Sequence, residues 1–373
     1  MGTRFKTLDP WLFIIPTVLM GVGSVVIYVL TADDGLALTI RQLVYVAISL
    51  LVLILVPFFD YRNLRGLAPW FYGIGSILLG LVPIIGKEEF GAKLWIDFGF
   101  IQFQPGEVMK LFVLLLLSAL LSLSFGVERR LPMRRFFGAL ALFLIPTAFI
   151  FLQPDFGTAA IIGVSSLVLL LHAPLSRTQK LLITAGLLSV VLISTLALQG
   201  TGPFGKLLKP YQRDRLVSFI DPIHDTSGAG YNVAQAVIAV GSGGITGTGL
   251  GFGTQSQLRF VPVAHADFIF ASITEAWGWV GSLVIVSLLS MLVLRCLHAA
   301  SIAKDALGRY LCLGIAAKIL FEMLVNIGMN IRIMPVTGIP LPFLSYGGTA
   351  LLVNALCMAL VQSVVLRYKR LTF

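Results

Sequence analysis

The chain has 373 residues, 57% of them hydrophobic and 12% charged, with a mean hydropathy of +0.95. Those values exclude an ordinary soluble domain and describe a protein solvated by lipid over most of its surface. The 27 Lys and Arg against 17 Asp and Glu give a net charge of +10, but the basic residues gather at the ends of apolar runs, which is a membrane-orientation signal and argues against nucleic-acid binding.

A bilayer crossing takes ~20 mostly apolar residues, and about ten such runs follow one another near 10–30, 40–59, 69–86, 107–126, 136–152, 157–174, 180–199, 268–297, 308–331 and 347–366. The expected fold class is all-α and polytopic, with a single transmembrane domain over 1–373. The first run, from Trp11 to Leu30, is too long for a signal-peptide core and is taken as the first span. Cys296, Cys312 and Cys357 all fall inside apolar runs, so no disulfide framework is expected. An even number of spans puts both termini on one side. Placing them in the cytoplasm gathers the basic clusters near 4–6, 62–65, 129–135, 177–180, 295–309 and 367–370 there, whereas "TADDGLALT" and "QPDFG" on the other side carry no Lys or Arg.

Two outer segments are more than connectors. Lys87 to Gly106, "KEEFGAKLWIDFGFIQFQPG", mixes a Trp and four Phe with polar residues, as a segment lying in the interface would. Between the seventh and eighth spans a long extracytoplasmic loop covers about 200–266, a length that usually signals function. Within it "KLLKPYQRDRLVSFIDP" interleaves Lys206, Lys209, Arg213 and Arg215 with apolar residues, the pattern of a basic amphipathic element at the headgroups. "GYNVAQAVIAV" reads as a short helix. The following "GSGGITGTGLGFG" lacks both a Walker lysine and GxGxxG spacing. Its glycines either bring backbone amides to an anion or permit a tight re-entrant turn.

Ionisable residues at membrane depth must be paired, neutralised or used. Glu107 and Lys110, at i and i+3, share a face of the first turn of the fourth span. Lys318 and Glu322, at i and i+4, read as a structural ion pair within the ninth. Asp155 in "QPDFGTA" suits a helix cap, and so does Asp267 ahead of "FIFASITEAWG". A regular helix would put Glu275 about 80° round from Asp267 and about 12 Å deeper. A mouth carboxylate above a deeper polar residue is what an outward-facing cavity shows, with His265 near enough to tune it. Capping and catalysis are both open for Asp267 on this reading.

Together, "GAKLWIDFGFIQFQPGEVMKL" (Gly91 to Leu111), "QPDFGTA" (Gln153 to Ala159), "GYNVAQAVIAVGSGGITGTGLGFGTQSQLRFVPVAHADFIFASITEAWG" (Gly230 to Gly278) and "GIPLPFLSYGGTALL" (Gly338 to Leu352) closely resemble, in order and spacing, the SEDS family of bacterial shape, elongation, division and sporulation proteins. The last motif is more like the rod-shape branch of that family than the division branch. The resemblance implies a ten-span peptidoglycan glycosyltransferase that polymerises lipid II at the outer face of the cytoplasmic membrane during cell elongation. It also implies a class B penicillin-binding protein as transpeptidase partner, among other elongation-complex proteins. It assigns the catalytic role to Asp267 and supporting roles to Glu107, Lys110 and Asp155. The chain departs from the family pattern at Val263, where Glu is common, Ala266 (Thr), Thr248 (Lys), Asn232 (Gln) and Ala236 (Ser). Any mechanism that needs the missing Glu and Lys is thereby put in doubt, while Asp267 is untouched.

A diphosphate is already a good leaving group, so the reaction needs a base for the attacking hydroxyl and positive charge for the diphosphate. The residues suit Asp267 as base and Lys110 with Arg213, Arg215 or Arg259 on the diphosphate, with Glu107 orienting Lys110 and Glu275 supporting the cavity wall. A divalent cation, Mg or Mn, would share that load, although no cluster has ligand spacing that demands a metal. The rival readings are a lipid II flippase and a non-enzymatic scaffold for the transpeptidase.

Overall fold

The computed structural model describes residues 8–32, 35–89, 92–99, 102–124, 130–198, 229–261 and 263–368. The amphipathic stretch with Arg213 and Arg215 lies outside these. Among the described residues nine helices are long and apolar enough to cross a membrane, and a tenth apolar helix has 16 residues. In chain order these are α1 (Trp11–Thr31), α2 (Ala37–Leu55), α3 (Leu64–Ile85), α4 (Pro105–Ser122), α5 (Met133–Leu152), α6 (Phe156–Leu171, the short one) and α7 (Arg177–Leu198). After α8 (Ala229–Ser242) and the single turn α9 (Thr254–Gln257) come the spanning α10 (Ile269–Ile302), α11 (Ala306–Asn330) and α12 (Gly348–Leu366). The expected short helix at 230–240 is α8.

Lys87 to Gly106 forms what the hydropathy pattern did not reveal: an antiparallel sheet of β1 (Lys87–Glu89), β2 (Ala92–Asp97) and β3 (Gln102–Phe103). Strands this short leave too little alternation to read. The sheet is tied to the bundle where Thr349 Oγ donates to the Gln102 carbonyl at 3.1 Å and accepts from the Gln104 amide at 3.2 Å. It therefore sits at the end of the bundle where α4 and α12 begin, and α6 and α10 begin and α11 ends at that same end.

The central helices are α4, α11 and α12, with 72%, 67% and 72% of their apolar windows buried against 11% for α7, which faces outward. One apolar core joins α1, α2, α4, α10, α11 and α12, and a second joins α3 to α6 with α11. Four charges lie in the centre. Lys110 Nζ donates to Glu107 Oε1 at 2.7 Å and to Glu322 Oε1 at 2.8 Å, while Lys318 Nζ donates to Glu322 Oε2 at 2.9 Å and to Asn354 Oδ1 at 2.6 Å. The two pairs read separately from the sequence are thus one alternating Glu–Lys–Glu–Lys chain across α4 and α11, closed by α12. Its charges sum to zero, which is how four ions can remain in a medium that solvates none of them.

At the opposite end, Asp305 accepts from Tyr61 Oη at 2.8 Å and from Arg62 Nε at 2.9 Å, and caps α11 through the Gly308 amide at 2.7 Å. Arg367 donates to the Pro57 and Phe58 carbonyls. This polar seam closes α2, α3, α11 and α12 together.

Two outcomes test these features. Glu322→Met strands Lys318 and half of Lys110's coordination and should cost about 3–5 kcal/mol, read as thermal unfolding in detergent. The double change Lys318→Met with Glu322→Met should recover part of that. In the sheet, the Lys87 ammonium and the Gly99 amide hold the Asp97 carboxyl below its usual range. A lowered native pKa contributes stability above the unfolded value and loses it as pH falls through the native one. The protection factors of the 92–97 amides, corrected for the pH dependence of intrinsic exchange, should therefore be steady from pH 8 to pH 6 and fall below about pH 4.

Candidate active site

The glycine run is explained by a break in α10. Gly278 has φ 66° and ψ −164°, a conformation that interrupts the helix and that side chains other than glycine avoid. Around the break the helical ladder is replaced by bonds to the loop after α8. The Thr248 and Gly249 amides donate to the Glu275 and Ala276 carbonyls at 2.9 and 3.0 Å, and the Trp279 and Val280 amides donate to the Gly244 and Ile245 carbonyls at 2.9 and 3.2 Å. Backbone groups at membrane depth must be satisfied within the protein, and here loop and helix satisfy each other. Gly247, with φ 85°, lies so close that a Cβ would strike the Ala276 carbonyl. Of the two readings left open for the run, the tight turn accounts for Gly243 and Gly247, where a Cβ would strike the Thr274 and Ala276 carbonyls.

Glu275, three residues before the break, is 1% exposed. Its carboxylate accepts from the Gln255 and Ser256 amides at 2.8 and 2.9 Å and from the Ser256 hydroxyl. It therefore closes the start of α9 from outside and fixes the 253–257 turn to α10, a wall-supporting role. With Ser272, Gly251, Gly253 and the α1 residues Val26 and Leu30 it lines a narrow cleft.

Asp267 lies one residue before the α10 N-cap, Phe268, and is half-buried. Its segment is fastened by three successive carbonyls. The Tyr346 amide donates to His265 at 2.9 Å, Ser345 Oγ to Ala266 at 2.6 Å, and the Asn326 and Asn330 amides to Asp267 at 3.0 and 3.2 Å. The ring of His265 meets Tyr346 edge to face, with centroids 5.6 Å apart. Val263 on one side and Phe343 on the other hold positive φ angles of 53° and 66°, strained for such residues. A Cβ added at Gly338 would stand 3.6 Å from Asp267 Oδ2, so the carboxylate faces the strand of loop at Thr337–Ile339. That strand is packed on the start of α6, where Gly157 leaves room for Ile339.

Asp155, at this α6 start, accepts from the Thr158 amide at 3.0 Å as a cap and from Gln104 Nε2 at 3.1 Å. It thereby joins the start of α6 to the residue before α4, the helix that carries Glu107 and Lys110. The fold thus brings Asp267, His265 and Asp155 to one end of the bundle and puts Glu107 and Lys110 beneath them in the ion chain. Arg259 is exposed in the loop after α9 with φ 60°. Glu275 belongs to the neighbouring α9 cleft. Among the described residues no group of three or more His, Cys, Asp or Glu is placed to hold a metal ion.

Four supporting residues were passed over in the sequence: Asn326, Asn330, Ser345 and Asn354. For two of them a signal existed. Lys318, Glu322, Asn326 and Asn330 recur every fourth residue in "KILFEMLVNIGMN", drawing a polar stripe up one face of an apolar helix.

Residues 6–370 match the FtsW, RodA and SpoVE family, described as cell cycle protein. The chain belongs to this family. It is 35% identical over 366 residues to the peptidoglycan glycosyltransferase MrdB of Escherichia coli strain K12, covering 98% of this chain and 95% of that protein. It is 32% identical to the probable peptidoglycan glycosyltransferase FtsW of Coxiella burnetii, over 86% and 84% of the two chains. Among solved structures it resembles a chain from a peptidoglycan synthase complex that coordinates polymerization and crosslinking, with a TM-score of 0.78, 29% identity and coverage of 96% and 97%. It also resembles the rod shape determining protein RodA of Thermus thermophilus, at a TM-score of 0.68, 26% identity and coverage of 96% and 96%.

Replacing Gly278 by Ala forces a side chain into a backbone region it avoids and against the Ile245 carbonyl. The expected outcome is a loss of about 1–3 kcal/mol, with faster proteolysis of the 244–257 loop than of the rest of the chain.

Proposed function

We propose that this multi-pass membrane protein is an inverting peptidoglycan glycosyltransferase that polymerises lipid II into glycan strands, with Asp267 as its general base. The observation that carries the assignment is the fastening of His265, Ala266 and Asp267 by three neighbouring carbonyls. The backbone is immobilised by the loop after α11 and by α11 itself, and a half-buried carboxylate is left at the end of the bundle. A base held in this way meets the hydroxyl at low entropic cost.

In the reaction the 4-hydroxyl of the acceptor sugar attacks the anomeric carbon of the donor. The hydroxyl proton passes to the Asp267 carboxylate, the new glycosidic C–O bond forms, and the bond to the undecaprenyl diphosphate breaks. Attack opposite the leaving group converts an α-linked donor into a β-linked chain. Arg259, with Arg213 and Arg215 of the long loop, supplies the positive charge for the departing diphosphate, and a divalent cation would share that load. Lys110, 1% exposed and shared by two carboxylates, fits a supporting role better than a diphosphate contact. Asp155 and His265 support the Asp267 segment from either side.

The basic residues near 62–65, 130–135, 177–180, 295–309 and 367 belong to the bundle end opposite Asp267. By the positive-inside rule that end is cytoplasmic, and Asp267 faces the outside of the cytoplasmic membrane. The partner this reading implies is a class B penicillin-binding protein, which crosslinks the strands made here.

Asp267→Asn and Asp267→Ala, purified in detergent and supplied with lipid II, should lose at least about 100-fold in polymer yield on gels while unfolding at the wild-type temperature. Near-normal polymer from either folded variant overturns the assignment of the base.

A further inference from the structure

The sequence makes Asp267 a natural capping residue, and a carboxylate engaged in capping is a poor base. In the structure another residue does the capping. Asn330 Oδ1, at the last position of α11, accepts from the Ala271 amide in the first turn of α10 at 3.0 Å. The same side chain turns its Nδ2 to the Asp267 carbonyl at 3.2 Å and to the Asn326 carbonyl at 2.8 Å. One fully buried amide thus stands between the Ala271 amide and the Asp267 carbonyl, the pair that a continuing helix would join directly, and holds both. Asn326, also fully buried, adds donations to the Asp267 carbonyl and to the Ile339 carbonyl at 2.7 Å. Asn326 stands one turn above Glu322, so the grip is seated on the central ion chain.

We propose that Asn330 is the positioning residue of this enzyme, capping α10 and holding the Asp267 carbonyl out of the helix so that the carboxylate of that residue is kept in place for the reacting sugar. The proposal rests on the reading of Asp267 as the base. Asn330→Ala removes this wedge, so that the Ala271 amide takes the Asp267 carbonyl directly, winding Asp267 into α10 and turning its carboxylate away. Asn330→Asp keeps an acceptor of the same shape for the Ala271 amide but sets an oxygen where Nδ2 met the Asp267 and Asn326 carbonyls, so the grip on Asp267 is lost.

The test is steady-state polymerisation of purified lipid II by the full-length protein, with kcat and KM measured separately and thermal unfolding read alongside. Asn330→Ala should lower kcat at least about tenfold with KM within about twofold, since the lost interaction orients the base and does not bind substrate. Asn330→Asp should lose kcat to the same extent. Gln179→Ala provides the structural control, because buried Gln179 likewise donates to a carbonyl, that of Leu131 at 2.8 Å, and accepts from the Ser176 amide at 2.7 Å, far from the site. It should unfold at a lower temperature with unchanged kcat. A wild-type kcat in Asn330→Ala overturns the proposal, as does a wild-type kcat in Asn330→Asp, or a kcat loss in Gln179→Ala as large as in Asn330→Ala. Asp267→Asn, run in parallel, separates the two readings. An active Asp267→Asn removes the base itself, whereas an inactive one beside a fully active Asn330→Ala removes only the positioning role.

Discussion

Lipid offers no hydrogen bonds, and the polar face of α11 has to be answered entirely from within the protein. Lys318, Glu322, Asn326 and Asn330 climb about 18 Å of that helix, and each finds its partners on a different neighbour. Lys318 finds α12, Glu322 finds α4, Asn326 finds the loop at Ile339, and Asn330 finds the start of α10. A helix that must satisfy this stripe can be rotated or slid very little. It therefore fixes the relative heights of the elements that meet at Asp267, and the apolar packing around it fills the space so defined.

The same constraint shapes the Asp267 end of α10. A helix broken at Gly278 would leave amides and carbonyls bare at membrane depth, and the loop after α8 takes them up strand-fashion. The loop can do so only without side chains at the contact, which is why glycines crowd this part of the sequence. Glu275 then serves two neighbours at once, its carbonyl bonded to Thr248 and its carboxylate to the α9 turn. The break, the loop and the α9 turn form one unit, attached beside the Asp267 segment but separately from it.

Much of this could be read directly from the chain. The ten apolar runs foretold, among the described residues, nine helices long enough to cross a membrane and the shorter α6, because length and hydropathy set membrane crossing with little help from tertiary context. Asp155 as a cap, Glu107 with Lys110 and Lys318 with Glu322 followed from spacing alone. What spacing could not show was that the two pairs join, since Lys110 and Glu322 are 212 residues apart. Nor could it show the sheet at 87–103, whose strands are two to six residues long, or who caps α10. The local rule named Asp267, and tertiary structure gave the task to Asn330 from 59 residues away. Asparagine carries no charge and drew no notice beside the acids, although its amide can accept and donate at once.

The alternating chain of charges has an electrical consequence. An energised membrane exerts about 2.3 kcal/mol on each elementary charge per 100 mV of potential crossed, and a bundle with one uncompensated ion at its centre would be pushed along the membrane normal whenever the voltage changed. Two ammonium and two carboxylate groups linked end to end present the field with no net charge to act on. The polar spine that carries the Asp267 segment is in this respect insulated from the voltage of the membrane it stands in.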